Sequence, residues 1–111
     1  MIEDDRRVLT SLATLLASGG YGTRAYGSAA DFLSDGYSGL VCVVTDLGIQ
    51  PIGGMQVLES VIHSDAAPPV IIITGRPSEH TDDYYLQRGA VGFFRKPIDG
   101  EALLDLLDCI A

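Results

Sequence analysis

Positive charge is scarce in this 111-residue chain. Seven Lys and Arg stand against fifteen Asp and Glu, the formal net charge is −8, and Lys96 is the single lysine. A surface of that sign repels a phosphate backbone, so direct nucleic-acid binding is not expected of the chain itself. Long apolar runs are also missing. None approaches the ~20 residues needed to span a bilayer, so no membrane segment is expected. The amino end, M-I-E-D-D-R-R, lacks the apolar stretch of a signal peptide. Cysteine is sparse: Cys42 and Cys109 stand alone, with no CxxC spacing. Two such residues read most simply as buried free thiols in a reducing compartment, so a cytoplasmic location is expected.

With 47% hydrophobic residues, the chain has enough apolar matter for one packed core, and its length suits one domain. The stretch that organises it is Leu40 to Asp46, L-V-C-V-V-T-D. A continuous, β-branched apolar run reads as a strand covered on both faces, as in parallel sheets. It ends in a carboxylate, and the carboxyl ends of such strands are where ligands sit in open α/β sheets. Asp46 is therefore the candidate reactive residue.

Taken in order, Ile2-Glu3-Asp4-Asp5 looks like a strand end breaking into acids. Val8, Leu9, Leu12, Leu15 and Leu16 recur at helical spacing until Gly19-Gly20. Tyr21 to Tyr26 reads as a short strand, and Ser28 caps a helix carrying Ala29, Ala30, Phe32 and Leu33. After Asp46 comes a glycine-rich loop, then a helix with Met55, Leu58, Val61 and Ile62 on one stripe. Pro68-Pro69 punctuates the chain before a second apolar strand, Val70 to Ile73, which ends in Thr74-Gly75. Residues 78–88 form the most polar helix, with Ser78 as cap and Gly89 as stop. A fifth strand, Val91 to Phe94, leads to Arg95-Lys96-Pro97. Asp99 caps a last helix with Leu103, Leu106, Leu107 and Ile110. Five strand–helix alternations with short connections predict a flavodoxin-like, doubly wound (βα)5 parallel sheet. Only Met1 and Ile2 precede the first acids, so the first strand is expected to be a stub. It would leave much of the sheet unpaired unless residues upstream of Met1, or another chain, complete it.

In a parallel sheet the strand ends face one edge. Glu3 and Asp4, Asp46, Thr74 and Lys96 should gather there. Crowded carboxylates repel, and a hard divalent cation relieves that repulsion. Mg2+ suits oxygen ligands, here Glu3, Asp4 and Asp46 with a backbone carbonyl from Gly48, whose missing side chain allows close approach. A carboxylate beside Mg2+ can accept a phosphoryl group. Lys96 would offset charge on the phosphoryl oxygens, and Thr74 could donate its hydroxyl to one.

The chain resembles the receiver domains of bacterial two-component response regulators over essentially its whole length. The resemblance rests on I-E-D-D near the start, V-V-T-D-L at 43–47, Gly54 eight residues after the acid, I-I-T-G at 72–75 and G-A-V-G-F-F-R-K-P at 89–97. The T-D-L, I-T-G and G-A-V-x-F details look most like receivers that control helix-turn-helix output domains. The resemblance implies one receiver domain over residues 1–111. Asp46 would be phosphorylated by a sensor histidine kinase. Glu3 and Asp4 would hold Mg2+ with Asp46 and Gly48, Asp4 more directly. Thr74 and Lys96 would contact the phosphoryl group. Thr74 and Phe93, three residues before Lys96, would form the switch that remodels the fourth helix, fifth strand and fifth helix for an output domain or effector. The fourth helix with Arg88 and the adjoining fifth strand would offer a homodimer surface. Such a domain is a regulator, not an enzyme. Two departures accompany the match: Gln50 and Pro51 displace the usual loop proline by one place, and Glu3 replaces the commoner aspartate.

Other readings remain open. A receiver-like interaction module that takes no phosphate would share this fold. An aspartyl phosphohydrolase would want a second acid two residues after Asp46, where Gly48 stands. A flavin site would want a Ser/Thr-rich phosphate loop after the first strand, which is absent. His63 and His80 read as surface residues.

Overall fold

The computed structural model describes residues 1–36, 39–48, 53–64, 67–75 and 82–110. Within them, eight elements follow one another: α1 (Arg6–Ser18), α2 (Ala29–Asp35), β1 (Val43–Asp46), α3 (Gly54–Ile62), β2 (Val70–Thr74), α4 (Asp82–Gln87), β3 (Ala90–Arg95) and α5 (Gly100–Ile110). β1, β2 and β3 form a parallel sheet in that order. Ile2 adds to it on the free side of β1 through a parallel bridge to Thr45, and a further parallel bridge joins Ile2 to Tyr26. The lateral order is therefore Tyr26, Ile2, β1, β2, β3, a doubly wound arrangement with β1 at its centre and the chain's first strand beside it. The two strands expected near the amino end are each reduced to a single bridged residue. Four backbone bonds hold the stub: Ile2 N to Val44 O at 2.7 Å, Asp46 N to Ile2 O at 2.9 Å, Glu3 N to Tyr26 O at 3.0 Å and Tyr26 N to Met1 O at 2.8 Å.

Side chains alternate across the strands and make two cores. Val43, Val70 and Ile72 face α2, α3 and α4, meeting Phe32, Val57, Leu58 and Tyr85. Val44, Ile71 and Ile73 face α1 and α5, meeting Leu12, Leu16, Leu103 and Leu107. Every residue of β1 and β2 is buried, as a sheet covered on both faces requires.

Ser28 and Asp99 cap as expected, and Asp5, not singled out from the sequence, adds a third cap. Asp5 accepts from Arg7 N at 2.9 Å to start α1, Ser28 accepts from Asp31 N at 3.2 Å to start α2, and Asp99 accepts from Ala102 N at 3.2 Å to start α5. At Gly89 the backbone adopts φ +110°, which stops the chain after α4 in a conformation closed to most side chains. Some expectations shift. The apolar run at 40–46 pairs as a strand only from Val43, and Val41 is 49% exposed. In α3 the buried stripe is Val57, Leu58 and Val61, with Ile62 turned outward at 37% exposure. Cys42 is half-buried, and burial pushes its thiol up to about 11, whereas Cys109 lies exposed on α5. Both are free thiols; Cys109 escapes burial because it falls off the stripe formed by Leu103 and Leu107. His63 is exposed. Ser78, His80 and the Gln50–Pro51 loop lie outside the described residues.

Gly54 packs closely against backbone. A Cβ there would lie 2.5 Å from Asp46 O and 2.8 Å from Leu47 Cα. Both are backbone atoms and cannot swing aside. Gly54→Ala is therefore expected to lower folding stability by about 1–3 kcal/mol, the cost of overpacking, as read by urea unfolding. An unchanged midpoint would show that α3 does not press on the end of β1.

Candidate functional site

The site sits where the first strand stub, β1, β2 and β3 end. Glu3 follows Ile2 directly and is 0% exposed. Its Oε1 accepts from Asp5 N at 3.1 Å, and its Oε2 accepts from Lys96 Nζ at 2.6 Å. Asp46, the last residue of β1, is buried, with Oδ1 accepting from Gly48 N at 3.3 Å. The Lys96 ammonium lies 3.6 Å from Asp46 Oδ2. Carboxylate oxygens of Glu3, Asp4 and Asp46 all lie within 4.8 Å of one another, and Asp4 is exposed while the other two are buried. Residues separated by about ninety positions thus meet at one edge.

Lys96 is held from three sides. Its backbone N donates to Thr74 O at 2.8 Å, its ammonium binds Glu3, and its stem crosses Gly75, where a Cβ would lie 3.2 Å from Lys96 Cδ. Thr74 is buried at the end of β2 beside it. Burial raises the Glu3 carboxyl above the usual range, opposed by the hydrogen bonds from Lys96 and Asp5. Burial works against the charged Lys96, but Glu3 and Asp46 outweigh it and hold its ammonium above the ordinary value.

The donor set suits a hard cation. Ionised, three carboxylates and one ammonium leave a net charge of −2. An octahedral shell with ligands at about 2.1 Å spaces its oxygens by about 3–4 Å, which this cluster can meet. The cluster contains carboxylates and no His or Cys, as Mg2+ prefers over zinc.

The acid-rich start divides into three parts. Asp5 belongs to the α1 cap, Glu3 turns inward to Lys96, and Asp4 faces outward at the rim. Phe93 stands apart from the acids. It is half-buried on the α4 side of the sheet, stacked on Tyr85 with ring centroids 5.1 Å apart and planes 16° apart. The Arg95 guanidinium carbon lies 5.4 Å from the Phe93 ring centre. Tyr85, buried beneath Phe93, and Gly75, the floor under Lys96, are contributors that residue spacing did not single out. Gly75 at least lies within the quoted I-I-T-G motif.

A doubly wound α/β sheet with an acid–lysine cluster at its carboxyl edge places its polar site where open α/β sheets bind ligands. The family described as response regulator receiver domain matches residues 1–108, and the chain belongs to it. Over 105 residues it is 34% identical to the transcriptional regulatory protein FixJ of Azorhizobium caulinodans, covering 94% of this chain and 50% of that protein. The structure of full-length FixJ from B. japonicum superposes with a TM-score of 0.81 at 30% identity, covering 98% of this chain and 54% of that one. A response regulator receiver domain protein from Clostridium thermocellum gives a TM-score of 0.88 at 21% identity, over 98% of this chain and 89% of that one, and shows the fold alone. The chain spans about half the length of the curated relatives it matches. Receiver domains serve phosphorylation-based signalling and are signalling modules, not catalytic enzymes. Among the described residues, no helix is long and apolar enough to cross a membrane.

Proposed function

We propose that this chain is a phosphorylation-switched regulatory domain in which Asp46 accepts a phosphoryl group from a sensor histidine kinase. The observation that carries the reading is the convergence of Glu3, Asp4, Asp46 and the lone lysine at one rim of the sheet. An Asp46 carboxylate oxygen attacks phosphorus, the new O–P bond forms, and the donor leaves with the electrons of the breaking bond. Lys96 offsets charge on the equatorial oxygens from a few ångströms away. Thr74, next to Lys96 through their backbone bond, offers its hydroxyl to one of them. Glu3, Asp4 and Asp46, with the Gly48 carbonyl, would hold Mg2+. When bound, it would neutralise the carboxylates and the incoming phosphoryl charge.

The output reading follows from the same edge. Thr74 ends β2, and Phe93 lies on the neighbouring β3 against Tyr85 of α4. A change at Thr74 that repositions Phe93 would alter the surface of α4, β3 and α5, where an output domain or effector would dock. Phosphate need favour one of two existing states by only a few kcal/mol. Leu86 and Val91 expose apolar surface on α4 and β3, at 40% each, and β3 is the sheet's open edge among the described residues. That supports a homodimer contact there, with Arg88 lying 3.5 Å above the Tyr84 ring.

Incubation with acetyl phosphate and Mg2+ is expected to add one phosphoryl group to the protein, seen by intact-mass spectrometry, and none to Asp46→Asn. Equal labelling of the two would exclude Asp46 as acceptor. The single-residue ladder at Ile2 favours a second reading, an interaction module of this fold that takes no phosphate. It predicts no saturable Mg2+ binding in a titration.

A further inference from the structure

Arg88 is stored against its own helix. It follows the last residue of α4, and its guanidinium carbon lies 3.5 Å from the centre of the Tyr84 ring while Nη1 donates to Tyr84 O at 3.1 Å. It forms no ion pair among the described residues, in a chain with fifteen acids and seven bases. Tyr84 meets Tyr85 edge to face, with ring centroids 5.1 Å apart and planes at 79°. Tyr85 is buried and lies flat on Phe93 of β3, with centroids 5.1 Å apart and planes at 16°. One guanidinium and three rings thus run without a gap from the edge strand to the surface. A cation over a ring at four-residue spacing on a helix is by itself a local contact. Here the ring beneath the cation is positioned by the next ring. An edge-to-face pair is favourable over a narrow range of angle, because the positive rim of one ring must meet the negative face of the other. Tyr85 cannot turn to follow a displaced Phe93 and keep that angle to Tyr84.

We infer that the three rings couple Phe93 to Arg88: with the stack intact the guanidinium is held on Tyr84, and when Phe93 leaves Tyr85 it is released to a carboxylate of a second copy of this chain. The inference rests on the reading of α4 and β3 as a homodimer contact and adds what controls Arg88 within it. Charge favours a second copy as the occupant. Two chains of net charge −8 repel each other wherever acids meet acids, so an available cation at the contact decides whether it forms. In a two-fold contact the same patch meets itself. The Arg88 of each copy then faces α4 of the other, where Asp83 is exposed, with Leu86 and Val91 supplying apolar surface beside it. While the guanidinium lies on Tyr84 that pairing is withheld.

The test reads Arg88 in the full chain by the upfield ring-current displacement of its side-chain δ protons, and self-association by sedimentation. Phe93→Leu keeps apolar volume and removes the ring furthest from Arg88. It is expected to raise the released population of Arg88 between about 2- and 12-fold, the equilibrium equivalent of one aromatic pair beyond its buried area. The displacement should shrink accordingly. Self-association should tighten by at least that factor, because a contact that needs the released form is weakened by the fraction still held. Adding Arg88→Gln should return association to the wild-type level or below. Phe93→Tyr, which keeps the ring, should leave both readings at wild-type values. Should Phe93→Leu not fold, Tyr85→Leu opens the stack one ring closer and carries the same expectations. A displacement that falls in Tyr84→Leu but holds its wild-type value in Phe93→Leu makes the cation–ring contact local and overturns the coupling. A displacement lost in Phe93→Leu with association unchanged supports the coupling and overturns the dimer reading beneath it. Both measurements are made without phosphoryl donor or Mg2+, so neither depends on Asp46 as acceptor.

Discussion

Lys96→Met is expected to lose about 3–5 kcal/mol of folding stability at neutral pH, the cost of leaving a buried carboxylate without its partner. The carboxylate is Glu3, whose side chain is 1% exposed and whose ammonium partner lies 2.6 Å away. Methionine fills much of the lysine stem's volume over Gly75, so the loss is electrostatic more than steric. Its dependence on pH follows from linkage. Burial raises the Glu3 carboxyl even with Lys96 present, and removing the ammonium raises it further. Between the ordinary carboxylate value and the raised one, the folded variant holds a proton that the unfolded chain has released. Stability in that interval therefore rises as pH falls, and the deficit is complete only above the raised value. Urea unfolding of wild type and variant across pH, taken as a difference, should show the gap narrowing toward acid. Adding Glu3→Gln to Lys96→Met removes the stranded charge and keeps an acceptor for the Asp5 N–H, so the double variant should regain most of the loss. A double variant as unstable as the single would mean that Lys96 contributes through packing instead.

How far the chain could be read without coordinates depends on which signal each residue carries. Residues 70–73 are apolar throughout and covered on both faces, so pattern and structure coincide. Leu40 and Val41 carry the same pattern but lie outside β1, because pairing on the stub's side reaches only Ile2 and Tyr26 and the ladder thins toward that end. Period alone does not reveal a missing neighbour. Tyr21 to Tyr26 fails as a strand for the same reason. At the site, the gathering of Glu3, Asp4, Asp46 and Lys96 followed from strand ends facing one edge, which is topology. The division of labour among Glu3, Asp4 and Asp5 did not follow. Three consecutive acids look alike in a sequence, and only the inward turn of Glu3 beside buried Ile2 separates them. The stacking of Tyr85 under Phe93 joins residues eight apart across a helix–strand connection, and no local spacing reports it.

Extending the chain by three β-branched residues ahead of Met1, such as Val-Ile-Val, should raise folding stability by about 2–4 kcal/mol. A groove of about 540 Å3 runs on from Met1 between Tyr21–Arg24 and Val41–Val44. Its walls are two backbone segments. Val44 O already accepts from Ile2 N, and Arg24 O accepts from Met1 N at 2.8 Å. In extended chain the N–H and C=O of one residue point to the same side. The Val44 N–H, in β1, therefore points to the stub's side of the sheet, where the groove lies. The hydroxyl of Thr23, which lines it, is buried without a hydrogen-bond partner among the described residues. Three added residues would gain roughly 1.5–3 kcal/mol each from side-chain burial and about 1 kcal/mol per ladder bond. Ordering them costs about 1.5 kcal/mol each, so the sum stays favourable. A Ser-Gly-Ser extension of equal length offers the same backbone with little to bury and should gain almost nothing. Hydrogen exchange at Val44 should slow in the first chain and not in the second. If both extensions leave the urea midpoint where it was, the groove is not a strand position, and the Ile2 stub already satisfies the sheet.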